Sequence, residues 1–238
     1  MARIGPATLG IGIAVALLCG LSLLSPGSEL QRLREMAGVA EPLGVPPDVD
    51  ESGSYAFTVT QPGSSEPVGY SPCRPIRYRV NPLHAPEDYQ DYVDQAVRQV
   101  SAATGLVFEY QGTTDSREFF GPATDRDAPV VVAWATEDEV EALAGNVAGV
   151  AGSSWITTSP RHRQYSAGSV VLDADSFASF WNPEYDLEAI VTHEFGHLVG
   201  LAHVEDRHEL MNAETTGQRT FGPGDLSGLA RLGRVPCR

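Results

Sequence analysis

At 238 residues the chain has room for one domain of ordinary catalytic size plus extensions, not comfortably for two. Its 42% hydrophobic content supports a real core and excludes global disorder. A formal charge of −15, with arginine as every basic side chain other than histidine and no basic stripe among aromatics, argues against a nucleic-acid partner and reads as a solvated surface.

Residues 7–24 are almost wholly apolar and carry no charge, and they approach the roughly 20 residues a helix needs to span a bilayer. Residues 1–24 read either as a signal peptide, cut at a small-x-small site such as Gly20-Leu21-Ser22, or as an uncleaved membrane anchor. A lipoprotein-type cut at Cys19 is the poorer option, because bulky Leu18 precedes it. Either favoured reading exports the rest, so the expected location is extracellular, secreted or anchored at the outer face of the membrane. Residues 25–72 hold the turn-rich tracts 41–48 and 61–67, and read as a linker, stalk or pro-segment with a short helix over 28–36 and a short strand over 55–60.

The compact domain is expected over residues 73–238. Alternation over 76–80 predicts a half-buried strand, and apolar spacing over 86–104 predicts a helix stopped by Gly105. Residues 106–110 and 129–134 read as strands, the second apolar throughout and therefore central. A short helix or turn is expected over 137–144, an irregular edge strand over 147–156 and a strand over 168–173. Helices follow over 186–199 and 223–232. Cys73 and Cys237 bracket this domain, and in an oxidising compartment they read as a disulfide, two free thiols being the alternative. No CxxC supports a redox or cysteine-ligated metal role.

The chemistry concentrates in His193-Glu-Phe-Gly-His-Leu-Val-Gly-Leu-Ala-His203. On a helix His193 and His197 lie one turn apart on one face, so both imidazoles reach one ion. Glu194 is offset by about 100° and falls beside that ion rather than among its ligands. Gly200 supplies a left-handed turn that redirects the chain and brings His203 in from the side. Three neutral nitrogens leave a fourth position open, the arrangement of catalytic rather than structural zinc, with Glu194 as general base.

This eleven-residue pattern resembles the metzincin superfamily, which implies a methionine turn beneath the metal; Met211, after Leu210, stands at that spacing. Within the superfamily the motif, residues 168–175 and residues 224–233 are similar to the matrixins, the matrix-metalloproteinase branch. The resemblance implies an α+β fold: a twisted, mostly parallel five-stranded sheet with one antiparallel edge strand, two long helices and a small C-terminal subdomain ending in a helix. It also implies an endopeptidase with one catalytic Zn2+, and an extended polypeptide substrate lying along the edge strand near residues 151–155. A monomer is expected.

Departures from the family matter too. Asn212 and Ala213 follow the methionine, so the tyrosine ligand of astacin-like relatives is absent. The tract 42–48 faintly resembles the matrixin propeptide switch but has no cysteine. His84, His162 and His208 are too scattered for a second zinc, and His208 and Glu209 read as solvated turn residues. Asp173 and Asp175 offer carboxylates for a Ca2+ ion, although alternation at a strand end accounts for them equally. Two competing functions stand beside the protease: a zinc-binding adaptor without proteolysis, and a zinc hydrolase of a non-peptide amide. The intact Glu194 favours an enzyme over an adaptor, because a purely structural site has no use for a base beside the ion.

Overall fold

The computed structural model describes residue 34 and residues 40–122, 128–178 and 186–237. Its chain order is β1 (Ala56–Phe57), β2 (Ile76–Asn81), α1 (Tyr89–Thr104), β3 (Phe108–Thr113), β4 (Val130–Ala135), β5 (Gly149–Ser159) and β6 (His162–Asp173). Then come α2 (Ala174–Ala178), α3 (Leu187–Val199), β7 (Leu201–Ala202) and α4 (Pro223–Leu232). Five strands form one sheet in the order β3-β2-β4-β6-β5, parallel except for β5, which runs antiparallel to β6 at the edge. This is the α+β architecture expected from the sequence.

The apolar run of β4 is explained by its central place. Val130, Val132 and Trp134 are buried in the main core with α1 and α3, while Ala135 packs on the other side with Leu143 and Val171. Trp134 is fully buried and meets Tyr89 and Phe177 edge-on, a geometry that suits the ring quadrupoles. Val93, Ala96 and Val100 of α1 are 0% exposed and share this core with Val191, Phe195 and Leu198 of α3. The helix that carries the motif is thus fixed along its length.

Several boundaries differ from expectation. The strand expected over 106–110 begins later, at Phe108, because Gly105 takes a left-handed conformation and Leu106 is turned into the core. The strand expected over 168–173 begins at His162, since β5 and β6 form a long ribbon in register from Gly149↔Leu172 to Ser159↔His162. The short strand expected over 55–60 shrinks to Ala56–Phe57, which pairs with β7 rather than with the main sheet.

Residues 40–72, read from sequence as linker or pro-segment, lie on the domain. Leu43 N–H donates to Pro72 O, Val68 is 0% exposed, and Arg234 donates to Pro47 O. The apolar stretch 7–24 lies outside the described residues, and among the described ones no helix is long and apolar enough to cross a membrane.

Candidate metal centre

Helix α3 starts where Asp186, in an extended conformation, accepts a hydrogen bond from Ala189 N, one of the donors a helix start leaves unpaired. It stops at Gly200, whose φ of 126° is open to glycine at little cost. Its N–H closes on Gly196 O and His197 O, and the chain then turns into β7 and delivers His203. The three Nε2 atoms stand 3.0 Å (His193 to His197), 3.0 Å (His193 to His203) and 2.9 Å (His197 to His203) apart. They form a nearly equilateral triangle, a little tighter than the about 3.3 Å implied by tetrahedral Zn–N bonds of ~2.0–2.1 Å.

The hydrogen bonds of the rings decide what this triangle wants. His193 Nδ1 lies 2.7 Å from Leu210 O and His197 Nδ1 lies 2.8 Å from Leu201 O. A carbonyl only accepts, so both Nδ1 atoms carry the proton and both Nε2 atoms present bare lone pairs. Lone pairs facing each other across 3.0 Å repel unless a cation lies among them, so the donor set fits a zinc ion. Burial drives the His193 imidazole pKa down to about 3, with the neighbouring His197 adding to it, and burial drives His197 down to about 4. His203 is lowered by burial as well. The rings are therefore neutral at physiological pH, the form that ligates metal. Among the described residues no other group of three or more histidine, cysteine or acidic side chains converges in this way.

Glu194 is 5% exposed, and its Oε2 is buried with no hydrogen-bond partner. Burial pushes its carboxyl up to about 8; a divalent cation beside it pulls in the opposite direction, toward the carboxylate. A buried, unpaired carboxyl oxygen is expensive in a purely structural role. It suits a group whose partner arrives with the reaction.

Met211 is 1% exposed and lies under the helix: a Cβ built on Gly196 would come within 2.6 Å of its sulfur. The turn containing Met211 is held by two acidic residues that the sequence did not reveal as structural. Asp225 Oδ2 accepts from Leu210 N at 2.6 Å, Met211 N at 3.4 Å and Gly222 N at 3.1 Å. Glu209, expected to be solvated, is instead 1% exposed. Its Oε1 accepts from Gly224 N at 2.9 Å and Ser54 N at 3.4 Å, and its Oε2 from Asp225 N at 3.0 Å. The physical reason is the N-terminus of α4, whose free N–H groups need an acceptor. That helix start, Gly222-Pro-Gly-Asp225, was the available signal. His208 is exposed, as expected, and pairs with Asp206.

The remaining candidates lie apart. Cys73 and Cys237 are bonded across a separation of 164 residues. Asp173 Oδ2 accepts from Ser176 N and Oγ, a local turn at the strand end. His84 is exposed in a turn and His162 starts β6. Residues 151–155 belong to β5, the sheet-edge strand beside α3, where Ser153 Oγ donates to Leu198 O at 2.8 Å.

The family model of the matrixins, a peptidase family, matches residues 74–229, more than half of the chain. No curated protein matches it. The chain belongs to the matrixin family, and with that family's zinc dependence it is a metallopeptidase acting on polypeptides.

Proposed function

We propose that this matrixin is an exported endopeptidase in which His193, His197 and His203 hold a single zinc ion and Glu194 is the general base. The observation that carries the reading is the convergence of three Nε2 atoms at 2.9–3.0 Å, two of them stripped of their proton by the carbonyls of Leu210 and Leu201. A zinc ion held by His193, His197 and His203 would polarise the scissile carbonyl and acidify a water molecule. Glu194 takes the proton of that water as it attacks the carbonyl carbon, and then hands it to the leaving amide nitrogen as the C–N bond breaks. Burial of Glu194 keeps bulk water from competing for that proton. The substrate chain lies extended against β5, the antiparallel edge strand of the sheet, and its backbone adds to the ladder. Export is supported by the uncharged apolar stretch 7–24 and by the Cys73–Cys237 bond, which persists in an oxidising compartment.

The test compares the wild-type chain, Glu194→Gln, and wild type treated with a chelator, each given an unstructured protein as substrate. Wild type binds one zinc per chain and cleaves internal bonds. Glu194→Gln keeps the zinc and loses about 10²–10⁴-fold in rate. Chelation abolishes cleavage and added zinc restores it. Undiminished cleavage by Glu194→Gln would overturn the assignment of the base.

A further inference from the structure

The segment before the domain's first sheet strand reaches the supports of all three histidines. Gly53 sits so close to the C-terminal subdomain that a Cβ there would fall 2.3 Å from Glu209 Oε1 and 2.3 Å from Gly224 N. Ser54 N–H donates to Glu209 Oε1, and Ser52 exchanges hydrogen bonds with Ser227 on α4. Two residues further on, Ala56 and Phe57 pair with Ala202 and Leu201, and Thr58 donates to Gly200 O from both its N–H (3.0 Å) and its Oγ1 (2.9 Å).

The backbone bracketed by these contacts orients the ligands. Leu201, paired with Phe57, supplies the carbonyl that fixes the His197 tautomer, and Ala202, paired with Ala56, immediately precedes His203. His193 is reached through a relay: its Nδ1–H donates to Leu210 O, Leu210 N–H donates to Asp225 Oδ2, Asp225 N–H donates to Glu209 Oε2, and Ser54 holds the far oxygen of Glu209. Groups that hold a ligating histidine by its second nitrogen set its orientation and basicity.

We propose that residues 52–58 are a positioning element of the metal centre, fixing through β7 and through Glu209 the backbone that aims His193, His197 and His203. This rests on the reading of those histidines as the zinc site. It also assigns the segment a role opposite to that of an inhibitory pro-segment: displacing it weakens the centre instead of uncovering it.

The experiment uses the full chain with Gly53→Ala, Glu209→Gln and Thr58→Val, and Ser64→Ala, just beyond the segment, as a control. Zn2+ affinity is measured by competition with a chromogenic chelator, ligand geometry from the visible absorption of the Co2+-substituted protein, and folding of the metal-free forms by circular dichroism. Gly53→Ala and Glu209→Gln bind Zn2+ about 10–100-fold more weakly and shift the Co2+ bands. Thr58→Val, which keeps its shape and loses the hydroxyl contacts to Gly200 O and Leu201 O, shows a smaller change in the same direction and decides the matter if the other two fail to fold. Ser64→Ala matches wild type. Folded variants that bind Zn2+ as tightly as wild type, with unchanged Co2+ spectra, overturn the inference and leave the zinc site standing. A wild-type chain that binds no stoichiometric zinc overturns both.

Discussion

Substituting Gly149 by alanine separates catalysis from stability and from metal binding. Gly149 opens β5, and a Cβ there would lie 2.8 Å from Glu194 Cγ and 3.0 Å from both its Cδ and Oε1. Ordinary contact begins at 3.4 Å, so the carboxylate must retreat by about 0.6 Å or leave its rotamer, at ~0.5–1.5 kcal/mol. Misplacing a reacting group by about 1 Å costs up to ~10²-fold in rate, and the smaller shift here gives roughly tenfold, equivalent to about 1.4 kcal/mol of the barrier. Stability changes little: Gly149 is not among the residues at positive φ, so alanine fits the backbone and lowers the entropy of the unfolded chain by ~0.4–1 kcal/mol, which the strain on the displaced carboxylate offsets. The assay is steady-state cleavage of a quenched fluorescent peptide at full zinc loading, with thermal melts alongside. The expected result is a roughly tenfold lower kcat, unchanged zinc content and a Tm close to that of wild type. A kcat within twofold of wild type, or a loss that tracks loss of zinc, would refute the reasoning.

Two further outcomes concern stability. Replacing both Cys73 and Cys237 by serine opens a loop of 164 residues and lowers the unfolding free energy by up to roughly 5 kcal/mol in the chain-entropy model; urea titrations showing a loss below about 1 kcal/mol would contradict it. Asp225 titrates in the opposite sense to a salt-bridged carboxylate. Burial raises its pKa to about 6, against the hydrogen bonds from Gly222 and Leu210 that lower it, while the unfolded value is ~3.9. The folded state thus holds this proton more tightly, so its contribution to stability is full below about pH 4 and is lost as pH rises through about 6. Asp225→Asn removes that step, and its unfolding free energy relative to wild type rises between pH 4 and pH 7. Parallel pH profiles for the two metal-free proteins would show that Asp225 does not titrate in this window.

What was legible in the sequence is what depends on neighbours in the chain. His193 and His197 are spaced by one helical turn, and the same helix delivers the glycine that ends it, so eleven residues carry most of the ligand geometry. The final helix was readable to the residue because Pro223 and Gly233 mark its ends. The unbroken apolar run of β4 similarly announced a strand covered on both faces. Boundaries failed where tertiary contacts overrode local pattern, as at Leu106, an apolar residue used as a core plug outside any strand. The ribbon from His162 to Ala167 failed for a related reason, since its polar residues pair in a two-stranded extension with little apolar alternation to betray it.

Glu209 shows why the rest was hidden. Flanked by His208 in a charged loop, it has every local attribute of a solvated residue, and its burial depends on Ser54, 155 positions earlier, and on a helix start 15 positions later. Burying a carboxylate is costly unless its oxygens are paired. Here Glu209 accepts three backbone N–H groups through both of its oxygens, and Asp225 accepts three through Oδ2 alone, its Oδ1 being buried without a partner. Those donors belong to turns and a helix end, where no ladder would otherwise satisfy them. The two acids therefore perform in this subdomain the service that strand pairing performs in the sheet. It follows that the ligand motif and the rigidity that makes it competent are written in different stretches of the chain, and only the first is visible as a motif.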